Sequence, residues 1–114
     1  MNAPHSAVAE LSAPELAQWR GDVAREAPLV LDVREAWEFA HCRIAESLSM
    51  PLFDLPRAMS RLPADRDIVV VCHHGVRSLQ AAAWLARAGF SRVHNLRGGI
   101  AAWADQVEPT MPRY

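Results

Sequence analysis

"IVVVCHHGVRSLQAAAWLARAGF", residues 68–90, runs from β-branched residues through a cysteine into a stretch with helical spacing. The apolar run stops at Cys72, and His73, His74 and Gly75 suit neither a strand nor a helix interior, so a strand ends at the cysteine. From Arg77 onward Leu79, Ala82, Ala83 and Ala86 recur at helical spacing, and Gly89 stands where a left-handed residue would end the helix. The predicted order is strand, tight loop, helix. A thiol at that junction faces a helix N-terminus, where backbone N–H groups lack intrahelical partners and can bind an anion.

The same alternation extends outward. Ser12 is a good N-cap, followed by Pro14, Glu15, Leu16 and Trp19, which predicts a first helix over residues 13–26. In "APLVLDVRE" (27–35) the Leu29 to Val33 run is short, bulky and continuous, the pattern of a strand buried on both faces. A short helix from Glu35 to Ala40, a brief strand in "LSMPL" (48–52) ended by Pro51, and a helix from Leu55 to Leu62 come next. A weak strand around Val93 to Leu96 and a helix from Gly99 to Trp103 complete the series. Such alternation predicts an α/β fold, with a mostly parallel sheet covered on both faces and ligands bound beyond the carboxyl ends of its strands. The 114 residues read as a single domain, 1–114, with loosely ordered ends at 1–7 and 106–114.

Composition narrows the function. With 51% hydrophobic residues and a net charge of −1, the chain reads as neither disordered nor nucleic-acid-binding. No apolar run reaches the roughly 20 residues of a membrane helix, and the N-terminus lacks the basic start and apolar core of a secretion signal. The expected location is cytoplasmic, with no membrane partner. Two cysteines 30 positions apart, outside any C-x-x-C, give no disulfide framework and suit a reducing compartment. All twelve basic residues are arginine, which excludes a Schiff-base enzyme and a lysine-bearing phosphate loop.

Three segments carry a family resemblance. "LVLDVREAWEFA" (29–40), "RLPADRDIVVVCHHGVRS" (61–78) and "HNLRGGIAAW" (94–103) look like successive signatures of the single-domain rhodanese (sulfurtransferase) family, in its order and at its spacing. The resemblance covers nearly the whole chain. It implies the rhodanese fold, a parallel sheet of about five strands with helices on both faces, and Cys72 as a nucleophile that carries sulfur as a persulfide. "QVEPTMPRY" (106–114) is similar to the ends of rhodanese domains found alone or fused to adenylating enzymes of sulfur-carrier pathways. One segment departs from the family. Where many members read something like "GHIPGAxNIPL", residues 42–52 read "CRIAESLSMPL", with Cys42, Arg43, Ala45 and Glu46 in place of Gly, His, Pro and Gly. Glycine's freedom at positive φ is lost twice, which predicts a different backbone path.

The residues themselves carry compatible chemistry. An ordinary thiol, with a pKa near 8.5, is only a few per cent thiolate at neutral pH, and thiolate is the attacking form. A helix end contributes about 0.3–1 kcal/mol, less than the roughly 1.4 kcal/mol of one pKa unit, so the loop must supply the remainder. Four residues separate Cys72 from Arg77, and so short a loop can curl its N–H groups toward the sulfur, with Gly75 permitting the turn. This cradle would hold the outer sulfur of a persulfide or the anionic end of thiosulfate, with Arg77 supplying charge and Ser78 a hydroxyl. Cys72 and Arg77 are the candidate catalytic residues; His73, His74, Gly75, Val76 and Ser78 are the candidate binding residues. Cysteine phosphatases resemble C-x5-R, one residue longer, and no aspartate acid lies in this loop, so sulfur is favoured over phosphorus.

Other residues have plainer readings. A buried cysteine at a strand end is usually inert, and only the loop and Arg77 reverse that here. His73 and His74 read as pocket walls that tune charge and access. Together with His41 and Cys42 they lack zinc-ligand spacing, so neither metal nor cofactor is expected. Asp32 and Arg34 read as a structural salt bridge, Arg43 as added positive field, and Cys42 as an unreactive thiol or a resolving partner for Cys72. Arg97 reads equally as a pocket edge or a solvated loop charge, and the tryptophans at 19, 37, 84 and 103 as helical core faces. The expected activity moves sulfane sulfur from thiosulfate or a small persulfide, through Cys72, to cyanide, a thiol or a protein acceptor. The competing readings are a phosphatase or arsenate reductase on the same cradle, and a non-catalytic docking module for a sulfur-carrier or adenylating protein.

Overall fold

The computed structural model describes residues 8–114, in which strands and helices alternate: β1 (Val8–Leu11), α1 (Ala13–Gly21), β2 (Leu29–Asp32), α2 (Ala36–His41), β3 (Leu48–Ser49), α3 (Leu55–Ala58), β4 (Ile68–Val71), α4 (Val76–Arg87), β5 (Val93–Leu96) and α5 (Gly99–Gln106). Short 3-10 turns at Leu52–Asp54 and Met59–Arg61 flank α3. The strands form one parallel sheet in the order β1-β5-β4-β2-β3. β4 lies at its centre because all four of its residues are apolar and at most 1% exposed, so both faces of the strand are covered. One core packs Leu16, Val69, Val71 and Trp103 on one face, and a second packs Leu31, Val70, Cys72 and Leu85 on the other.

Local chemistry fixes the element ends. Ser12 and Glu15 form a reciprocal capping box at the start of α1. The helix stops at Gly21, short of the predicted residue 26, because the Asp22 side chain accepts from the Ala24 N–H at 2.9 Å and turns the chain. Pro51 follows β3, and the N–H groups on either side of it, from Met50 and Leu52, donate to the carbonyls of Asp32 and Val33. Gly89 is left-handed at φ 110° and closes α4. The buried face of α4 is Ser78, Ala81, Ala82 and Leu85, whereas predicted Leu79 is 43% exposed. The stripe is rotated because Ser78 finds a partner in the core.

Three expectations are corrected. Trp37 does not form a core face: it is 59% exposed, while Trp19 and Trp103 are buried. Residues 106–114 do not trail away, since Met111 is buried and Tyr114 packs over the loop that follows β4. In the atypical 42–46 segment, Cys42 is extended and needs no glycine, while Glu46 holds the left-handed region at φ 65°. The loss of glycine there is met by strain rather than by a right-handed path. The expectation of a loose end at 1–7 lies outside the described residues.

Candidate active site

Cys72 ends β4 with 1% exposure, and its Sγ accepts the Gly75 N–H at 3.1 Å. Gly75, at φ 100°, turns the chain and serves as N-cap of α4, which starts one residue later. The loop is pinned from behind by the first turn of α5: Ile100 and Ala101 donate to the carbonyls of Cys72 and His73 at 2.9 and 3.0 Å. This approach requires Gly99, because a Cβ there would overlap the Cys72 carbonyl oxygen and stand 2.6 Å from that of His73. Asn95, on β5, donates to the Gly75 carbonyl at 3.3 Å and accepts the Ser78 hydroxyl at 2.5 Å. Ser78 is fully buried, so its hydroxyl holds the loop's underside and is not offered to a substrate, which corrects its expected binding role.

Arg77 also departs from expectation. Its guanidinium makes a two-pronged pair with Glu38, at 2.8 and 2.9 Å, so its charge is largely matched within the protein. Glu38 is buried on α2 and also accepts the Glu35 N–H and the Tyr114 hydroxyl. The Arg77 hydrogen bonds, against the opposing effect of burial, hold the Glu38 carboxyl down at about 2. The same bonds hold Arg77 above its ordinary value.

Behind this pair, Arg34 is completely buried and forks onto Asp32 through Nε and Nη2, at 2.9 and 2.7 Å. The expected structural bridge is therefore present. Burial works against its charge, but the Asp32 and Tyr114 hydrogen bonds outweigh that and raise its pKa. Arg34 also donates to the Cys42 carbonyl at 2.7 Å and to the Tyr114 hydroxyl at 2.9 Å. Burial pushes the Tyr114 phenol up to about 12.

The outer wall is aromatic. His73 stacks on His74 at 4.0 Å and on Tyr114 at 4.2 Å, which places it between the two rings. Burial, and then the charge of His74, keep the His73 imidazole below its ordinary pKa. A cleft of about 200 Å³ opens beside this stack, lined by His73, His74, Ala101, Pro112, Arg113 and Tyr114. A second cleft, of about 300 Å³, is lined by Val33, Glu35, Pro51, Leu52, Phe53 and Arg77. Phe53, in its lining, is 89% exposed, and Val76, the first residue of α4, is 69% exposed. The largest cleft described, about 730 Å³ between α1 and His94, contains no residue of the cysteine loop.

Cys72 thus ends the central strand of a five-stranded parallel sheet with the Gly75 N–H on its sulfur. The family model described as a rhodanese-like domain matches residues 12–106. This chain belongs to the rhodanese-like family. It is 43% identical over 102 residues to a sulfurtransferase of Allochromatium vinosum, covering 90% of this chain and 94% of that one. It is 39% identical to the probable adenylyltransferase/sulfurtransferase MoeZ of Mycobacterium tuberculosis, where 88% of this chain matches 26% of the longer protein. Among solved structures, a rhodanese-related protein from Thermoplasma volcanium superposes with a TM-score of 0.79 at 31% identity, covering 89% of this chain and 95% of that one.

Within this rhodanese-like chain the remaining candidates are settled by position. Arg97 is exposed, donates its N–H to Leu11 and lines neither cleft beside the loop. Arg43 lies over the Phe39 ring and donates to the Phe39 carbonyl, so it caps the end of α2 rather than facing Cys72. Cys42 is packed in the core on the opposite sheet face from Cys72, which removes the basis for a resolving role. Among the described residues no three His, Cys, Asp or Glu side chains gather as a metal site, and no helix is long and apolar enough to cross a membrane. Sequence reasoning missed Glu38, Asn95, Gly99 and Tyr114. Only Gly99 carried a local signal, as the second glycine of a pair at a strand–helix junction.

Proposed function

We propose that this rhodanese-like chain is a sulfurtransferase in which Cys72 carries the sulfur. The observation that supports it is the cradle: an N–H aimed at Sγ, a loop held by α5 and Asn95, and an arginine at its rim. The sulfurtransferase names of its relatives, including the thiosulfate sulfurtransferase GlpE of Stutzerimonas stutzeri at 35% identity over 75 residues, support the same class. Cys72 thiolate attacks the sulfane sulfur of thiosulfate, the S–S bond breaks, and sulfite leaves with the bonding pair. The persulfide anion on Cys72 sits in the N–H cradle. An acceptor nucleophile such as cyanide, a thiol or a protein thiol then takes the outer sulfur and regenerates the thiolate. A small persulfide serves as donor by the same displacement, with its thiolate as leaving group. The chain would work in the reducing cytoplasm, where its two free cysteines persist.

In this mechanism the loop's backbone does most of the anion binding and Arg77, tied to Glu38, assists. Arg77→Ala should therefore weaken loading from thiosulfate more than from a small persulfide. The deciding experiment is the intact mass of wild type and Cys72→Ser, before and after thiosulfate and then cyanide. Gain of one sulfur atom on wild type alone, released as thiocyanate, is the expected result. A folded wild type that gains no sulfur would overturn the proposal, and aryl phosphate hydrolysis would then separate a phosphatase from a docking module.

A further inference from the structure

Tyr114 touches both charge pairs and the aromatic wall of the site. Its hydroxyl accepts from Arg34 Nη1 at 2.9 Å and donates to Glu38 Oε2 at 2.8 Å, while Oε2 also accepts from Arg77. One O–H group therefore links the pair at the end of β2 to the pair at the rim of the cysteine loop. The ring is fixed independently, by stacking on His73 and by edge contacts to Trp37 and His41 at 5.4 and 5.5 Å.

These contacts have an electrostatic consequence. A proton donated to Glu38 draws negative charge away from the face of the carboxylate that meets Arg77. Without that donor, Glu38 would cancel more of the Arg77 charge, and the loop would attract anions less strongly. Arg34 would also lose an acceptor in a place where water does not reach it. We propose that Tyr114 is a positioning residue for the cysteine loop: through Glu38 its hydroxyl sets the charge that Arg77 presents to an anionic donor, while its ring packs on the His73 side chain of that loop. The proposal rests on the sulfur-transfer reading only for the identity of that donor as thiosulfate.

The test compares wild type with Tyr114→Phe, Tyr114→Leu, Arg77→Ala and the Tyr114→Phe/Arg77→Ala double variant. The first readout is the rate of Cys72 alkylation by anionic iodoacetate relative to neutral iodoacetamide, with peptide mapping to separate Cys72 from Cys42. The second is the rate of sulfur loading against thiosulfate concentration. Tyr114→Phe keeps the ring and is expected to lower the iodoacetate-to-iodoacetamide ratio by about threefold or more, the factor of half a pK unit. It should raise the KM for thiosulfate by a similar factor with little change in maximal loading rate. Tyr114→Leu must lower the ratio at least as far. The double variant should fall no further than Arg77→Ala alone, because Tyr114 acts through that arginine. A ratio and KM equal to wild type in folded Tyr114→Phe, or losses that multiply fully in the double variant, would overturn the proposal. If wild type takes no sulfur from thiosulfate, the sulfur-transfer reading fails, and the alkylation ratio alone decides for or against Tyr114.

Discussion

Gly99 and Gly89 share a left-handed backbone, and comparing them separates strain from contact. At Gly89, φ 110°, nothing lies within 4 Å of an added Cβ, so Gly89→Ala meets only the left-handed penalty of about 1–2 kcal/mol and should leave sulfur loading unchanged. At Gly99 the same penalty is joined by overlap with the Cys72 and His73 carbonyls, which are backbone atoms and cannot rotate aside. Gly99→Ala should cost at least about 2 kcal/mol in thermal or urea melts and reduce loading by about tenfold or more, because the Ile100 and Ala101 hydrogen bonds to the loop must break or move. Equal effects of the two substitutions on loading would refute the contact argument. Arg34 is sensitive for another reason. Arg34→Ala strips the guanidinium from the Asp32 carboxyl, which is 1% exposed, a change expected to cost about 3–5 kcal/mol in the same melts.

Elements with contiguous patterns were readable in the sequence, and those defined by distant partners were not. β4 stood out as an unbroken apolar run and β2 as an apolar run ending at Asp32, and the turn into α4 was marked by Cys72, Gly75 and the helical spacing beyond. β1 was missed because its burial runs from intermediate to exposed and back, as suits an edge strand with no apolar face to display. Glu38 looked like any acidic residue on a short helix. Its burial depends on Arg77, 39 positions away, and on Tyr114, 76 positions away, and no local spacing encodes either. The same limit led the reading of Ser78, on α4, astray, since its partner Asn95 lies on β5, 17 positions away. The 42–46 segment shows the converse, a visible departure whose outcome only the backbone reveals. Glu46 bears a left-handed penalty of about 1–2 kcal/mol, and glycine would relieve it while adding about 0.5–1 kcal/mol of chain entropy cost. The 3.9 Å contact from Arg20 to exposed Glu46 contributes little. Glu46→Gly is therefore expected to stabilise the chain by roughly 0.5 kcal/mol, seen as a raised melting temperature; a lowered one would show that the side chain does more than the backbone suggests.

Taken whole, the molecule should be sensitive to acid through Glu38. A carboxyl held at about 2 when folded, against an ordinary 4.5, favours the folded chain at every pH above 4.5, and that contribution drains away as pH falls toward 2. Denaturant melts across this window should lose stability faster in wild type than in Glu38→Gln, which has no proton to gain; parallel curves would refute this. The strand order sets a different constraint, on the timing of folding. Val8 pairs with Val93, and β5 lies between β1 and β4, so the last strand to leave the ribosome must be inserted beside two strands made earlier. Until then β1 has no partner and β4, the most apolar strand, keeps one edge open. Contacts this distant along the chain favour slow closure, so nascent chains stalled before residues 93–96 should be the species that aggregate and engage chaperones.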